Sequence, residues 1–301
     1  MPQLNFWIVI SFLYPILFAI NNIINSMLVN KNFSNPYVLT FYKSITNALF
    51  VPLILLVNQP SPPSYLILSL YFILAILDLS YLIPYYKALK NIDASIVTAL
   101  FSLGRIVMPL LTYIFLDEKL KPIQYLGFTL IIASTIALSS QKIKSLKINK
   151  AFYLMVLSSF IHSSFLVLEK HTINSDTSWI NLMIYPSIFS TFIPFLLFLS
   201  PHLKREIKNH YTHFKNDIHL FLYMELFTFI GLLTISFILP HISAITKVSI
   251  SSTTPIFVLI ISIYFNKNKK ITYLENLSKQ ELNKKLILFL LIGLGTYLVI
   301  N

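Results

Sequence analysis

The sequence predicts an all-α polytopic membrane protein, with ten transmembrane helices arranged as two inverted five-helix repeats. Three observations lead there. Of 301 residues, 56% are hydrophobic and only 11% charged, whereas soluble chains carry about 25% charged residues. Ten apolar stretches each approach the roughly 20 residues a membrane-crossing helix needs. A short sequence pattern also recurs at an offset of 150 residues. So few charges cannot solvate a surface of this size, which excludes a soluble enzyme, a nucleic-acid binder and a disordered chain. The formal net charge of +12 would otherwise point to nucleic acid. Its basic residues cluster between apolar runs, however, and so report membrane topology. The absence of cysteine excludes disulfides, thiolate metal sites and thiol catalysis.

The ten spans read as 5–29, 36–57, 64–89, 93–116, 122–139, 151–172, 179–199, 217–239, 243–265 and 284–300. The first reads as a span and not a signal peptide. Its apolar run is too long, no basic residue precedes it, and no small-residue cleavage pattern follows. Pro36 and Pro122 stand where helices begin, and Pro60, Pro62 and Pro63 mark a turn between spans. The links are short except 200–216 and 266–283.

The repeat shows in Asn91-Ile92-Asp93-Ala94-Ser95-Ile96 against His241-Ile242-Ser243-Ala244-Ile245-Thr246. The same offset places Ser102-Leu103-Gly104-Arg105 on Ser252-Thr253-Thr254-Pro255, and Phe115 on Phe265. Residues 1–140 are then the first repeat, 141–150 a basic linker and 151–301 the second. An odd number of spans per copy turns the copies upside-down, a sequence sign of transporters that alternate around a midplane site.

These features resemble the EamA-type drug/metabolite transporters. The resemblance rests on Ala88-Leu89 closing the third span, on Ala94 and Ser102-Leu103, and on Phe115-Leu116-Asp117-Glu118-Lys119-Leu120 ending the fourth. Gln124 and Gly127 at the start of the fifth fit as well. The chain departs at three places: Arg105 stands where the first copy usually has proline, Asp117 replaces the glycine before Glu118, and Asn266-Lys267-Asn268 replaces the second LGE-like end. The resemblance implies secondary transport of small metabolites, with a pocket between the halves.

The links after odd-numbered spans hold 17 of the 23 basic residues, and the even links with both termini hold 3. Basic residues are retained in the cytoplasm, so both termini are expected outside it, in a plasma or bacterial inner membrane. Ionisable residues at membrane depth are costly and functional by default. Asp78, Arg105, Glu225 and Lys247 qualify, while Lys43 is shallower and is read as snorkelling. Asp78, Tyr81 and Tyr85 share one helix face, as do Thr98, Ser102 and Arg105, and Lys247, Ser251 and Thr254. Each half thus offers an acid and a base, either as ion pairs such as Asp78 with Arg105 or as a pocket for a zwitterionic, amino-acid-like metabolite.

The substrate-binding expectation is therefore Asp78, Arg105, Glu225 and Lys247, lined further by Tyr81, Ser102, His162 and Ser251. No metal and no cofactor is expected. The expected partners are a small-molecule substrate, membrane lipids and a coupling proton or ion, without nucleic acid, with monomer and homodimer both open. Enzyme readings fail on context: His171 and Asp176 match an acyltransferase spacing without a companion motif, and neither an aspartyl-protease Gly-x-Gly-Asp nor a P-loop occurs. A non-transporting scaffold or sensor and a lipid flippase are the alternatives. Only five glycines weigh toward the scaffold, and basic links toward the flippase.

Overall fold

The computed structural model describes residues 2–56, 59–101, 108–117, 119–140, 150–176, 178–266 and 278–300. Among these the chain is helical, with no strand. Seven helical stretches among the described residues are long and apolar enough to cross a membrane, and Pro122–Ser134 and Ser249–Phe265 are shorter apolar helices.

The first span is α1 (Pro2–Ser11) and α2 (Leu13–Lys31), separated by a single tighter turn. α3 (Pro36–Ala48) opens with Pro36 after an Asn35 cap whose side chain accepts from the Tyr37 N–H at 3.0 Å. α4 (Val51–Leu55) completes that span. α5 (Tyr65–Leu89) is capped by Ser64 and carries Pro84. α6 (Ala94–Leu100) and α7 (Met108–Leu116) fall within the fourth expected span, and Ser102 and Arg105 lie outside the described residues. α8 (Pro122–Ser140), α9 (Lys150–Asp176) and α10 (Trp179–Phe192) follow, and α10 continues as a 3₁₀ segment at Ile193–Leu199.

Two expectations need correction here. The long link 200–216 is largely helical: α11 (Pro201–Asn209) fills it, and α12 (Tyr211–Ile238) starts six residues earlier than the apolar run alone indicates. Ile207 on α11 is buried while Lys204, Arg205 and Lys208 are exposed, so an amphipathic period within polar residues makes the helix. Second, Lys170, counted with the even links, and Lys285, counted with the odd ones, lie inside helices. Lys170 lies inside α9 and donates to the Leu239 and Ile242 carbonyls at 2.6 and 3.0 Å, satisfying the free end of α12. Lys285 is buried in α15 (Lys279–Ile300) at 3.4 Å from Asp93.

α13 (Ala244–Ser251) and α14 (Thr254–Asn266) are one apolar stretch broken at Ser252-Thr253. Pro255 lacks an N–H and disfavours helix at the preceding residue. The break turns through tighter bonds, Ser252 N–H to Ser249 O and Thr253 N–H to Ile250 O, both 3.0 Å.

α5 packs along α9, α12 along α2, and α8 along α15. Burial recurs at the 150-residue offset: Tyr71, Leu74 and Ala75 are buried on α5, and Phe221, Met224 and Glu225 on α12. Large apolar side chains such as Leu66, Leu199 and Leu290 are exposed on the outer surface, which a bilayer would cover.

Candidate functional site

Two adjoining cavities of about 170 and 70 Å³ lie inside the bundle. They share Lys43, Asp78, Phe165, Glu169, Thr228 and Leu232 as walls. The larger is bounded by α2, α3, α5, α6, α9, α12, α13 and α14, so both halves of the chain contribute.

Of the residues the sequence selects, Asp78, Tyr81, His162, Lys247 and Ser251 all line the larger cavity. Asp78 and Glu225 line the smaller. Their helix periodicity explains the convergence: Asp78, Tyr81 and Tyr85 recur on one face of α5, and Lys247 and Ser251 on one face of α13. The break after Ser251 adds to this. Thr254 and Thr253 return their hydroxyls to the Ser251 and Ile250 carbonyls, each at 2.7 Å, so the interrupted backbone stays satisfied at the cavity wall. Arg105 and Ser102 lie outside the described residues, and so does the expected Asp78–Arg105 pair.

Lys247 is not a lone base. It is 3% exposed and its Nζ donates to Glu169 Oε2 on α9, itself 4% exposed. Tyr14 donates its hydroxyl to the Lys247 carbonyl, tying α2 to the same point. Glu225 is 1% exposed, and among the described residues its Oε1 has no hydrogen-bond partner. A buried carboxylate oxygen left without a donor is costly unless something supplies one.

Sequence reasoning missed Glu169 and undervalued Lys43. Glu169 falls three residues before the expected span end at 172, but α9 runs on to Asp176 and carries the residue well inside the helix. Lys43 sits two turns into α3 and lines both cavities, with Asn47 one turn further on the same face of the smaller. Its charge acts on both Asp78 and Glu225 through space, with no direct ion pair to either among the described residues. The i, i+4 spacing of Lys43 and Asn47 was the available signal.

The asparagines of α2 serve both roles open to them. Asn21 donates to the Thr228 hydroxyl at 2.6 Å, joining α2 to α12, and Asn25 donates to Asn21 at 3.3 Å. Asn22 accepts from the Tyr85 hydroxyl. All three also line the larger cavity. Aromatic rings close one wall: His162 packs at 4.7 Å from Tyr81 and stacks at 5.9 Å on Phe165, while Tyr85 stacks at 5.3 Å on Phe101. Carboxylates, ammonium groups, amide donors and a ring wall together can hold a small molecule that carries both charges.

Residues 5–140 match the model of the EamA-like transporter family. No curated protein matches the chain significantly. Among solved structures, one protein crystal structure aligns at TM-score 0.65 with 13% identity, covering 97% of this chain and 96% of that one. That likeness concerns the fold alone.

Proposed function

We propose, from the match of residues 5–140 to the EamA-like transporter family, that the chain is a secondary active transporter of a small zwitterionic, amino-acid-like metabolite, with no enzymatic activity. Asp78 and Glu225 receive the ammonium group of the substrate. Lys43 and Lys247 face its carboxylate, and Tyr81, His162 and Ser251 shape the walls. Arg105 and Ser102 belong to the same expectation through their spacing on the fourth span. The observation that carries this reading is Glu225 Oε1, buried and without a hydrogen-bond partner among the described residues, beside a cavity that both halves line.

Alternating access between two inverted five-helix repeats supplies the movement. The reading is supported by the recurrence of burial between α5 and α12, and by reciprocal packing of α5 on α9 and α12 on α2. A helix interrupted at the cavity wall is where such transporters bind their cargo. Ten spans with both termini outside the cytoplasm fit the distribution of basic residues, 16 to 2 once Lys170 and Lys285 are placed inside helices.

Metabolite profiles of cells with and without the protein should differ in one amine-bearing acid. Glu225→Gln keeps the shape and removes the charge, so transport of that compound should fall roughly 10- to 100-fold, the worth of a charge-assisted hydrogen bond. The variant should insert and accumulate normally. A scaffold or sensor would leave both profiles alike, and a flippase would change leaflet lipids instead.

A further inference from the structure

α11 has no part in the cavity, yet α3 and its cap hold it by two side-chain hydrogen bonds. Tyr42 on α3 donates its hydroxyl to the Ile207 carbonyl at 2.6 Å, and Asn35 donates its side-chain amide to Glu206, the one acid of α11. Ile207 is 3% exposed. These contacts turn the Ile207 side of the helix inward and leave Lys204, Arg205 and Lys208 exposed together along one flank.

Directly before α11, the 3₁₀ segment and its approach expose Phe192, Leu196 and Leu199, at 66%, 63% and 81%. A strip of bare apolar side chains therefore runs into a fixed basic patch. A soluble partner could neutralise the charges, but it could not cover apolar residues that belong to a membrane-crossing segment. An anionic phospholipid does both: its acyl chain lies along Phe192, Leu196 and Leu199, and its phosphate meets the Lys and Arg side chains. A topology signal alone needs basic residues in number, not a helix pinned by Tyr42 and Asn35.

We propose that α11 with the preceding 3₁₀ segment forms a binding site for an anionic phospholipid headgroup. The site is independent of the transport reading. It is reached from α3, the helix that also bears Lys43, through the bond between Tyr42 and Ile207.

Purified full-length protein is titrated with phosphatidylglycerol or phosphatidylcholine, with bound lipid counted by native mass spectrometry and the thermal midpoint recorded. Phosphatidylglycerol should be retained and should raise the midpoint, whereas phosphatidylcholine should do neither. The triple change Lys204→Gln, Arg205→Gln and Lys208→Gln should weaken retention by about fivefold per charge removed. These side chains are exposed, so its midpoint in phosphatidylcholine should equal that of the unaltered protein. Lys204→Gln alone should show the partial loss, which covers the case of a triple variant that folds poorly. An equal triple removal at Lys142, Lys144 and Lys147 should leave retention unchanged. Equal retention of both lipids, equal loss in the linker variant, or the same stabilisation from inorganic phosphate overturns the proposal.

Discussion

Asp117 has φ of 53° just past the end of α7. That left-handed conformation favours glycine, because a Cβ crowds the backbone there. Aspartate tolerates it better than most residues. EamA-type chains resembling this one place glycine at that point, and the dihedral supplies the physical reason. Asp117→Gly should raise stability by roughly 0.5–1 kcal/mol and Asp117→Val should lower it. Thermal unfolding in detergent checks both, and unchanged midpoints would remove the strain argument. Lys247 and Glu169 give a second test at this scale. Each single change to leucine leaves a buried charge unpaired and should cost about 3–5 kcal/mol. The double change should restore stability by replacing the pair with apolar packing. Transport should stay absent in the double variant if Lys247 meets substrate; its return would reduce the pair to a structural element.

At the scale of elements, α8 and α15 cross where two glycines meet. A Cβ on Gly127 would lie 2.6 Å from the Gly295 carbonyl oxygen, and one on Gly295 would lie 2.7 Å from that of Gly127. The obstacle on each side is backbone, so no rotamer change relieves it. Gly127→Ala and Gly295→Ala should each destabilise by about 1–3 kcal/mol. Gly293, two residues before Gly295, would meet nothing within 4 Å. Gly293→Ala should instead be neutral or stabilising by up to about 1 kcal/mol through helix propensity. Melting curves of the three variants compare directly, and a destabilised Gly293→Ala would show that glycine matters there for something other than space.

For the whole molecule, contacts sort the chain ends into two groups. Asn181 meets Ser61, Gln124 donates to the Val299 carbonyl at 2.8 Å, and Trp7 stacks on His241 at 4.2 Å. Lys31 meets Asp217 at 2.8 Å and Lys285 meets Asp93 at the opposite end. The first group carries the even links and the termini, and the second the odd, basic links. With no native cysteine, single cysteines report their side cleanly. Lys119→Cys should react with an impermeant maleimide in intact cells, and Asn209→Cys only after permeabilisation. The reverse pattern would invert the orientation, and reaction of both in intact cells would break the span count.

The sequence by itself determined that this is a helical membrane protein, because hydrophobic length and sparse charge leave no other stable form for such a chain. It also determined the 150-residue correspondence and the shared faces of Asp78 with Tyr81 and of Lys247 with Ser251, since helical period is a property of spacing alone. It did not determine partners. That Lys247 meets Glu169, that Lys170 closes the end of α12, and that Lys43 reaches the cavity depend on which helices pack together, and the apolar residues that drive that packing are nearly interchangeable. The helix in 200–216 is faint in the sequence because its amphipathic period rests on Leu203 and Ile207 alone among polar residues. Local composition reports the solvent a segment prefers, whereas the tertiary structure decides which of its polar atoms find one another.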